Sequence, residues 1–215
     1  RQIMMCSALT RLNDEFDIER IVVSTYQAVS GAGVAGMEEL YRQSQEVLDG
    51  KEPVAKTLPC AGDKKHFPIA FNCIPQVDKF DLSNGYSKEE MKMVNETRKI
   101  LHNDEMRVTA TTVRVPVFDC HSESINIEFE KPFEMDELLE TLKNAPGVVL
   151  QNNSAANEYP LAVDAAGHDE VFIGRVRRDD SVESGVNIWV VADNIRKGAA
   201  TNAVQIAEEI IKNMQ

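Results

Sequence analysis

The sequence predicts an α+β fold, with a mixed, mostly antiparallel sheet and helices packed on one face. Three observations lead there. Several segments alternate apolar and polar residues with a period of two, the mark of half-buried strands. Two of them, "VFIGRVRRD" and "NIWVVADN", lie close enough in the chain to pair antiparallel. Stretches with helical spacing precede, separate and follow the strands, and the strands of the second half are sequence neighbours, which favours an antiparallel sheet with segregated helices.

The elements follow in order. Ile3, Met4, Ala8, Leu9, Leu12 and Phe16 recur at helical spacing. No Ser, Thr, Asp or Asn stands ahead of that helix to cap it, so the chain is expected to begin inside an element and to be part of a longer protein. "RIVVSTYQAV" is β-branched and reads as a buried strand entering "SGAG", with Gln27 where the strand ends. A helix is expected from about Gly36 to Leu48. Residues 50–75 hold Pro53, Pro59, Gly62 and Pro68 and read as loop. In "SKEEMKMVNETRKIL", Ser87 and Glu90 form a capping box that opens a helix reaching about Leu101. "RVTATTVRVPV" sets Val113, Val115 and Val117 against Arg114. "ESINIEFE" sets Ile125, Ile127 and Phe129 against Asn126, Glu128 and Glu130, as in a sheet with one apolar face. "EMDELLETLKNAPG" is a short helix stopped by Pro146 and Gly147. After the last two strands, Ala203, Ile206, Ala207 and Ile210 mark the buried side of a C-terminal helix over 198–215. No internal repeat or low-complexity tract interrupts this order.

Composition narrows the function. The 215 residues suffice for one or two domains, and the net charge of -12 argues against nucleic acid or an anionic membrane as partner. No apolar run approaches the roughly 20 residues that span a bilayer, and no signal-peptide pattern opens the chain. The four cysteines lie far apart without a CxxC, which suits free thiols in a reducing cytoplasm. His66, His102, His121 and His168 have no ligand spacing, so no metal is expected.

Several residues could carry chemistry. Arg114, expected on the strand face opposite its valines, could grip a carboxylate by a two-point fork. His121, expected just past the end of that strand, could move protons near neutral pH. The alternative is an ion pair and a surface histidine. Gly31 and Gly33 could let backbone N–H groups approach an anion or a ring, or serve only a strand-to-helix turn. They form no GxGxxG fingerprint. Glu89 and Lys92 share a helix face at i and i+3, able to hold an amino group and an anion, or simply to form a solvated ion pair.

Six ordered motifs go further than any one of them. "STYQAVSGAG", "GDKKHFPIAFNCIPQ", "EEMKMVNETRKIL", "RVPVFDCHSES", "NNSAANEYPLAVDAAG" and "DNIRKGAATNAVQIAE" together resemble the C-terminal part of bacterial aspartate-β-semialdehyde dehydrogenase, in the form typical of Gram-positive bacteria. The resemblance runs from Arg1 to about Glu209. It implies a domain like the C-terminal domain of glyceraldehyde-3-phosphate dehydrogenase, with residues 1–215 as the substrate-binding and dimerisation part and 198–215 returning to a separate nucleotide-binding domain. It implies reductive dephosphorylation of β-aspartyl phosphate by NADPH through a Cys thioester, in a cytoplasmic homodimer that serves lysine, threonine, methionine and diaminopimelate synthesis.

The resemblance also implies roles. His121 matches the acid/base, which would take the thiol proton and serve the later steps. Gln27 matches the residue that orients substrate. Arg114 matches the clamp on the substrate carboxylate, Glu89 the residue facing its amino group, and Lys92 the one facing phosphate. Ser30 and Gly31 match positions beside the nicotinamide end of NADP, and Asn194 a cofactor-contacting position held by Gln in some relatives. The family's nucleophile is a Cys at the start of the helix that continues as "IMMCSALTRL", so it is expected a few residues before Arg1. Cys6 then belongs to the core. A thiolate is favoured at a helix N-terminus, whereas burial farther along raises a thiol's pKa. Cys120 stands where a small residue such as Gly or Ala is expected, a second thiol beside His121 and open to oxidation. Two alternatives remain: a reductase acting on N-acetylglutamyl phosphate, and an inactive dimerisation module.

Overall fold

The computed structural model describes residues 2–196 and residue 211. Apart from residue 211, which is helical, the expected C-terminal helix lies outside the described residues. Helix α1 (Gln2–Phe16) puts Met4, Met5, Leu9, Leu12 and Phe16 on one buried stripe. Strand β1 (Ile18–Gln27) follows and ends at Gln27, as its sequence predicts. A 3-10 turn (Val29–Ala32) leads into α2 (Gly33–Leu48), which starts three residues earlier than expected. Then come α3 (Lys88–Ile100), β2 (Arg107–Arg114), β3 (His121–Phe129), α4 (Met135–Lys143), β4 (Val148–Leu150), the short α5 (Ala162–Ala165), β5 (Val171–Asp179) and β6 (Gly185–Ala192).

The strands form one six-stranded sheet in the order β2-β1-β3-β6-β5-β4. Three pairings are antiparallel, β1 with β3, β3 with β6 and β5 with β6, while β1–β2 and β4–β5 run parallel. The sheet is thus mixed and mostly antiparallel. Helices α1, α3 and α4 cover one face. Their Met5, Leu9, Met93, Leu138 and Leu142 share a core with Ile21, Val23, Ile125, Ile127, Ile173 and Ile188. Burying such side chains contributes about 1.5–3 kcal/mol each. The other face is largely open, with α5 covering one corner through Ala165, Phe172 and Val191.

The stretch between α2 and α3 has little regular structure but a defined anchor. The buried Gln43 accepts from Ile69 N (2.7 Å) and Ala70 N (3.2 Å) and donates to Glu39 Oε1 (3.0 Å) and Val54 O (3.1 Å). Val29, Leu40, Leu58, Ile69 and Ile74 pack beside it as a second, smaller core.

The strand ends differ from expectation in the extent of β2 and in the burial of His121. β2 stops at Arg114 and does not run on to Val117. Arg114 does lie on the face opposite Val113, in phase with Ala110 and Thr112, and all three are buried. At its end Arg114 pairs on both edges: Val115 N donates to Gln27 O (3.0 Å) as the last bond of the β1–β2 ladder, and Arg114 exchanges both backbone hydrogen bonds with Ile74 on the other side. His121 comes after the end of β2, as expected, but it is not a surface histidine in a loop. It opens β3 on the covered face and is 1% exposed, because it continues the inward phase of Ile125 and Ile127.

A candidate active site at the strand ends

Four strand ends meet at one edge of the covered face. The β1–β2 register sets Gln27 beside Arg114. The β1–β3 ladder ends at Tyr26–Ser122, one step short of Gln27 opposite His121. His121 in turn lies opposite Ala192 of β6. Arg114, Gln27 and His121 therefore form a row across three adjacent strands, seven and more residues apart in sequence but neighbours in space. Thr25, Thr112 and Glu123 form the next row inward, and each is at most 1% exposed.

Hydrogen bonds fix the row. Ala28 N donates to His121 Nδ1 (3.0 Å), and Arg114 Nη1 donates to Ala28 O (2.7 Å). Gln27 Nε2 donates to Thr25 Oγ1 (3.1 Å), while the buried Gln27 Oε1 has no hydrogen-bond partner among the described residues. A buried amide oxygen in that state suits a ligand that brings a donor.

Helix α3 reaches the same edge. Ser87 Oγ accepts from Glu90 N (3.2 Å) and Glu90 Oε2 accepts from Ser87 N (2.7 Å), the capping box expected from the sequence. The other oxygen, Glu90 Oε1, accepts from Thr112 N (3.0 Å), which stitches the helix start to β2 two residues before Arg114. Glu89 sits on that first turn and is buried, so the pair it makes with Lys92 is not the solvated one the sequence alone allows. Lys92 Nζ, half-exposed, stands 3.7 Å from both Glu89 Oε2 and Asp78 Oδ2.

Ser30 and Asn194 bond to each other, at 3.1–3.3 Å between hydroxyl and amide. Asn194 comes from the segment after β6, where Asp193 Oδ1 accepts from Ile195 N (2.9 Å) and Arg196 N (3.1 Å) and so holds the turn. Gly31 is exposed in the 3-10 turn between Ser30 and α2. A hydroxyl and a side-chain amide together can both donate and accept, which matches the carboxamide of a nicotinamide ring.

Neither buried thiol belongs to this chemistry. Burial, with the Glu123 charge as the second cause, pushes Cys6 up to about 12. Cys120 packs on the other face against Phe172 and Val191, and burial with the nearby Asp193 and Asp119 pushes it up to about 12 as well. The expected oxidation-prone thiol beside His121 is thus a buried, protonated one. Its φ of 68° lies in the left-handed region, which accounts for the glycine-like expectation at this position. Among the described residues no three His, Cys, Asp or Glu side chains cluster to hold a metal, and no helix is long and apolar enough to cross a membrane.

Sequence reasoning missed Glu123, Asp78 and the main chain of Ala28. Glu123 carried a signal, an acidic residue in the inward phase of a strand whose later members are Ile125, Ile127 and Phe129. Ala28 and Asp78 carried none.

The family model described as "Semialdehyde dehydrogenase, dimerisation domain" matches residues 9–197. The aspartate-semialdehyde dehydrogenase of Aquifex aeolicus is 53% identical over 211 residues, 98% of this chain and 60% of that protein. The Bacillus subtilis enzyme of the same name is 47% identical over 98% of the chain and 61% of its own length. The crystal structure of aspartate semialdehyde dehydrogenase II from Vibrio cholerae, complexed with ASA, superposes with a TM-score of 0.89 at 47% identity, covering 98% of this chain and 60% of that one. The chain therefore spans about three-fifths of the length of these relatives, and its match to the family model over residues 9–197 shows that it belongs to the semialdehyde dehydrogenase family, of which it carries the dimerisation domain.

Proposed function

We propose that this chain is the substrate-binding and dimerisation part of a longer, NADP-dependent enzyme that reduces β-aspartyl phosphate to aspartate semialdehyde and phosphate. The observation that carries the reading is the single buried row of Arg114, Gln27 and His121, with the acidic start of α3 stitched beside it. The four free thiols suit a cytoplasmic setting.

In this reading Arg114 holds the substrate carboxylate, Glu89 its amino group and Lys92 the phosphate. Arg114 and Glu89 thus bind the amino-acid end, far from the reacting carbon, and the orientation they supply contributes several kcal/mol when the geometry is tight. Gln27 orients the acyl group and His121 is the proton-bearing group next to it. The nucleophilic cysteine belongs ahead of residue 1, where the family's thioester forms. Ser30, Gly31 and Asn194 would hold the nicotinamide end of NADP, which when bound supplies hydride to the acyl carbon.

The open sheet face is where a second copy would dock. Tyr26 and Trp189 stack there at 5.4 Å, beside a hollow of about 540 Å³ lined by Ser122, Tyr159, Leu161, Arg175 and Arg177. A large, partly aromatic face of this kind suits a homodimer.

The test is an assay of the full-length protein with β-aspartyl phosphate and, separately, N-acetylglutamyl phosphate, using NADPH and NADH. Reduction of the aspartyl substrate with NADPH is expected. Preference for the N-acetylglutamyl compound, which has no free amino group for Glu89, would overturn the assignment. The 215 residues alone are expected to show only background turnover.

A further inference from the structure

Lys92 stands between two carboxylates that come from different parts of the chain. Its Nζ lies 3.7 Å from Glu89 Oε2, three residues back on α3, and 3.7 Å from Asp78 Oδ2, in the loop ahead of that helix. Both distances suit an ion pair but exceed a hydrogen bond, so the ammonium straddles the two acids without closing onto either. The acids differ in setting: the Glu89 side chain is 4% exposed and that of Asp78 38%. Asp78 is fixed in place. Its φ of 66° is left-handed, a region that Asp and Asn enter more readily than most residues. Its Oδ1 accepts from Lys79 N (2.7 Å) and its carbonyl from Gln76 Nε2 (3.1 Å). Lys88 N donates to Lys79 O (2.8 Å), and Phe80 pairs with Ser87, so the loop is tied to the start of α3, the turn that carries Glu89.

We propose that Asp78 is a positioning residue that shares Lys92 with Glu89 and so balances the two ends of the substrate site, an inference that rests on the roles given above to Glu89 and Lys92. The site must hold two cations, the Lys92 ammonium and the substrate's amino group. Without Asp78 both compete for Glu89, and Lys92 is already on the same helix face. Asp78 draws Lys92 toward the loop, which lets Glu89 take on the amino group. The same charge acts on the anion with the opposite sign. A phosphate that reaches Lys92 comes close to Asp78, and the repulsion between like charges loosens its hold and aids its release. Asp78 thus strengthens the amino end of the site and weakens the phosphate end.

Running the full-length enzyme backwards, from aspartate semialdehyde, inorganic phosphate and NADP, separates the two ends, because each then binds its own substrate. Asp78→Asn removes the charge, keeps an oxygen to accept from Lys79 N and suits the same left-handed φ. In this variant KM for aspartate semialdehyde should rise about fivefold, while KM for inorganic phosphate should fall about twofold. Opposite shifts support the proposal, since damage to the fold would raise both constants. Two constants that stay unchanged, or that rise together, would overturn it. In a Lys92→Gln background, Asp78→Asn should add no further rise in KM for aspartate semialdehyde, because no ammonium is left to share. A further rise there would also overturn the proposal. A wild-type enzyme that does not turn over aspartate semialdehyde would instead sink the assignment of the site itself, and this inference with it.

Discussion

At Arg114 the shape of the cation matters as much as its charge. One guanidinium nitrogen is bound to Ala28 O, and a two-point grip on a carboxylate needs the planar fork. Arg114→Lys keeps the charge but cannot do both. Losing a charge-assisted hydrogen bond costs about 1.5–3 kcal/mol, so kcat/KM of the full-length enzyme is expected to fall about 10- to 100-fold, with KM for the acyl phosphate rising. Unchanged steady-state kinetics would contradict the role. Cys6 and Cys120 make a different prediction. Both thiols rise from 9.0 to about 12. The folded state therefore holds these protons more tightly than the unfolded chain does. Their contribution to stability is complete below pH 9 and is lost as pH climbs from about 9 to 12. Other groups titrate there too, so the comparison is with Cys6→Ala/Cys120→Ala. The double variant should lose less stability across that range in urea titrations. Equal pH slopes would show that the thiols are not buried as described.

Helix α3 is the element that ties stability to the site. Its Ser87 cap serves one N–H, whereas Glu90 serves Ser87 N and Thr112 N with its two oxygens. Ser87→Ala is expected to cost about 1 kcal/mol. Glu90→Ala leaves two buried donors unpaired and should cost about 2 kcal/mol or more. It should also raise KM, because Glu89 rides on the same turn. Denaturant unfolding and steady-state kinetics of the two variants check the order. A Glu90→Ala protein as stable as Ser87→Ala would mean that the stitch to β2 is not holding. The capping box was legible because it is local, with both partners three residues apart. The anchor at Gln43 was not, since its partners Ile69 and Ala70 lie in a loop whose path no short pattern records.

For the whole molecule, the open sheet face opposes the helix-covered one. Tyr26 is 39% exposed there and packs on Trp189 outside the main core. A buried aromatic at an interface centre is commonly worth about 2 kcal/mol or more. Tyr26→Asp should therefore weaken the proposed homodimer at least about tenfold while leaving the fold intact. Light scattering behind size exclusion, with circular dichroism as the control, reads both. A dimer of unchanged affinity would move the interface elsewhere.

Sequence by itself determined the order of α1 to α4 and of the five longer strands, the α3 cap, the end of β1 at Gln27 and the inward phase of Ile125, Ile127 and Phe129, because each follows from spacing over a few residues, whereas the short β4 and α5 left no such pattern. Its ordered motifs also pointed to the family. Only the tertiary structure decided that Arg114 and His121 face inward, that β1 and β2 run parallel, and that Ala28 links the two side chains. A period of two says which residues share a face. Which face is covered depends on partners far along the chain, and apolar content predicts it only where the covered face is apolar. At this edge the covered face carries Arg114, Gln27 and His121, and the proposed function gives a reason: groups that bind a charged substrate work best where water is excluded and their partners are fixed.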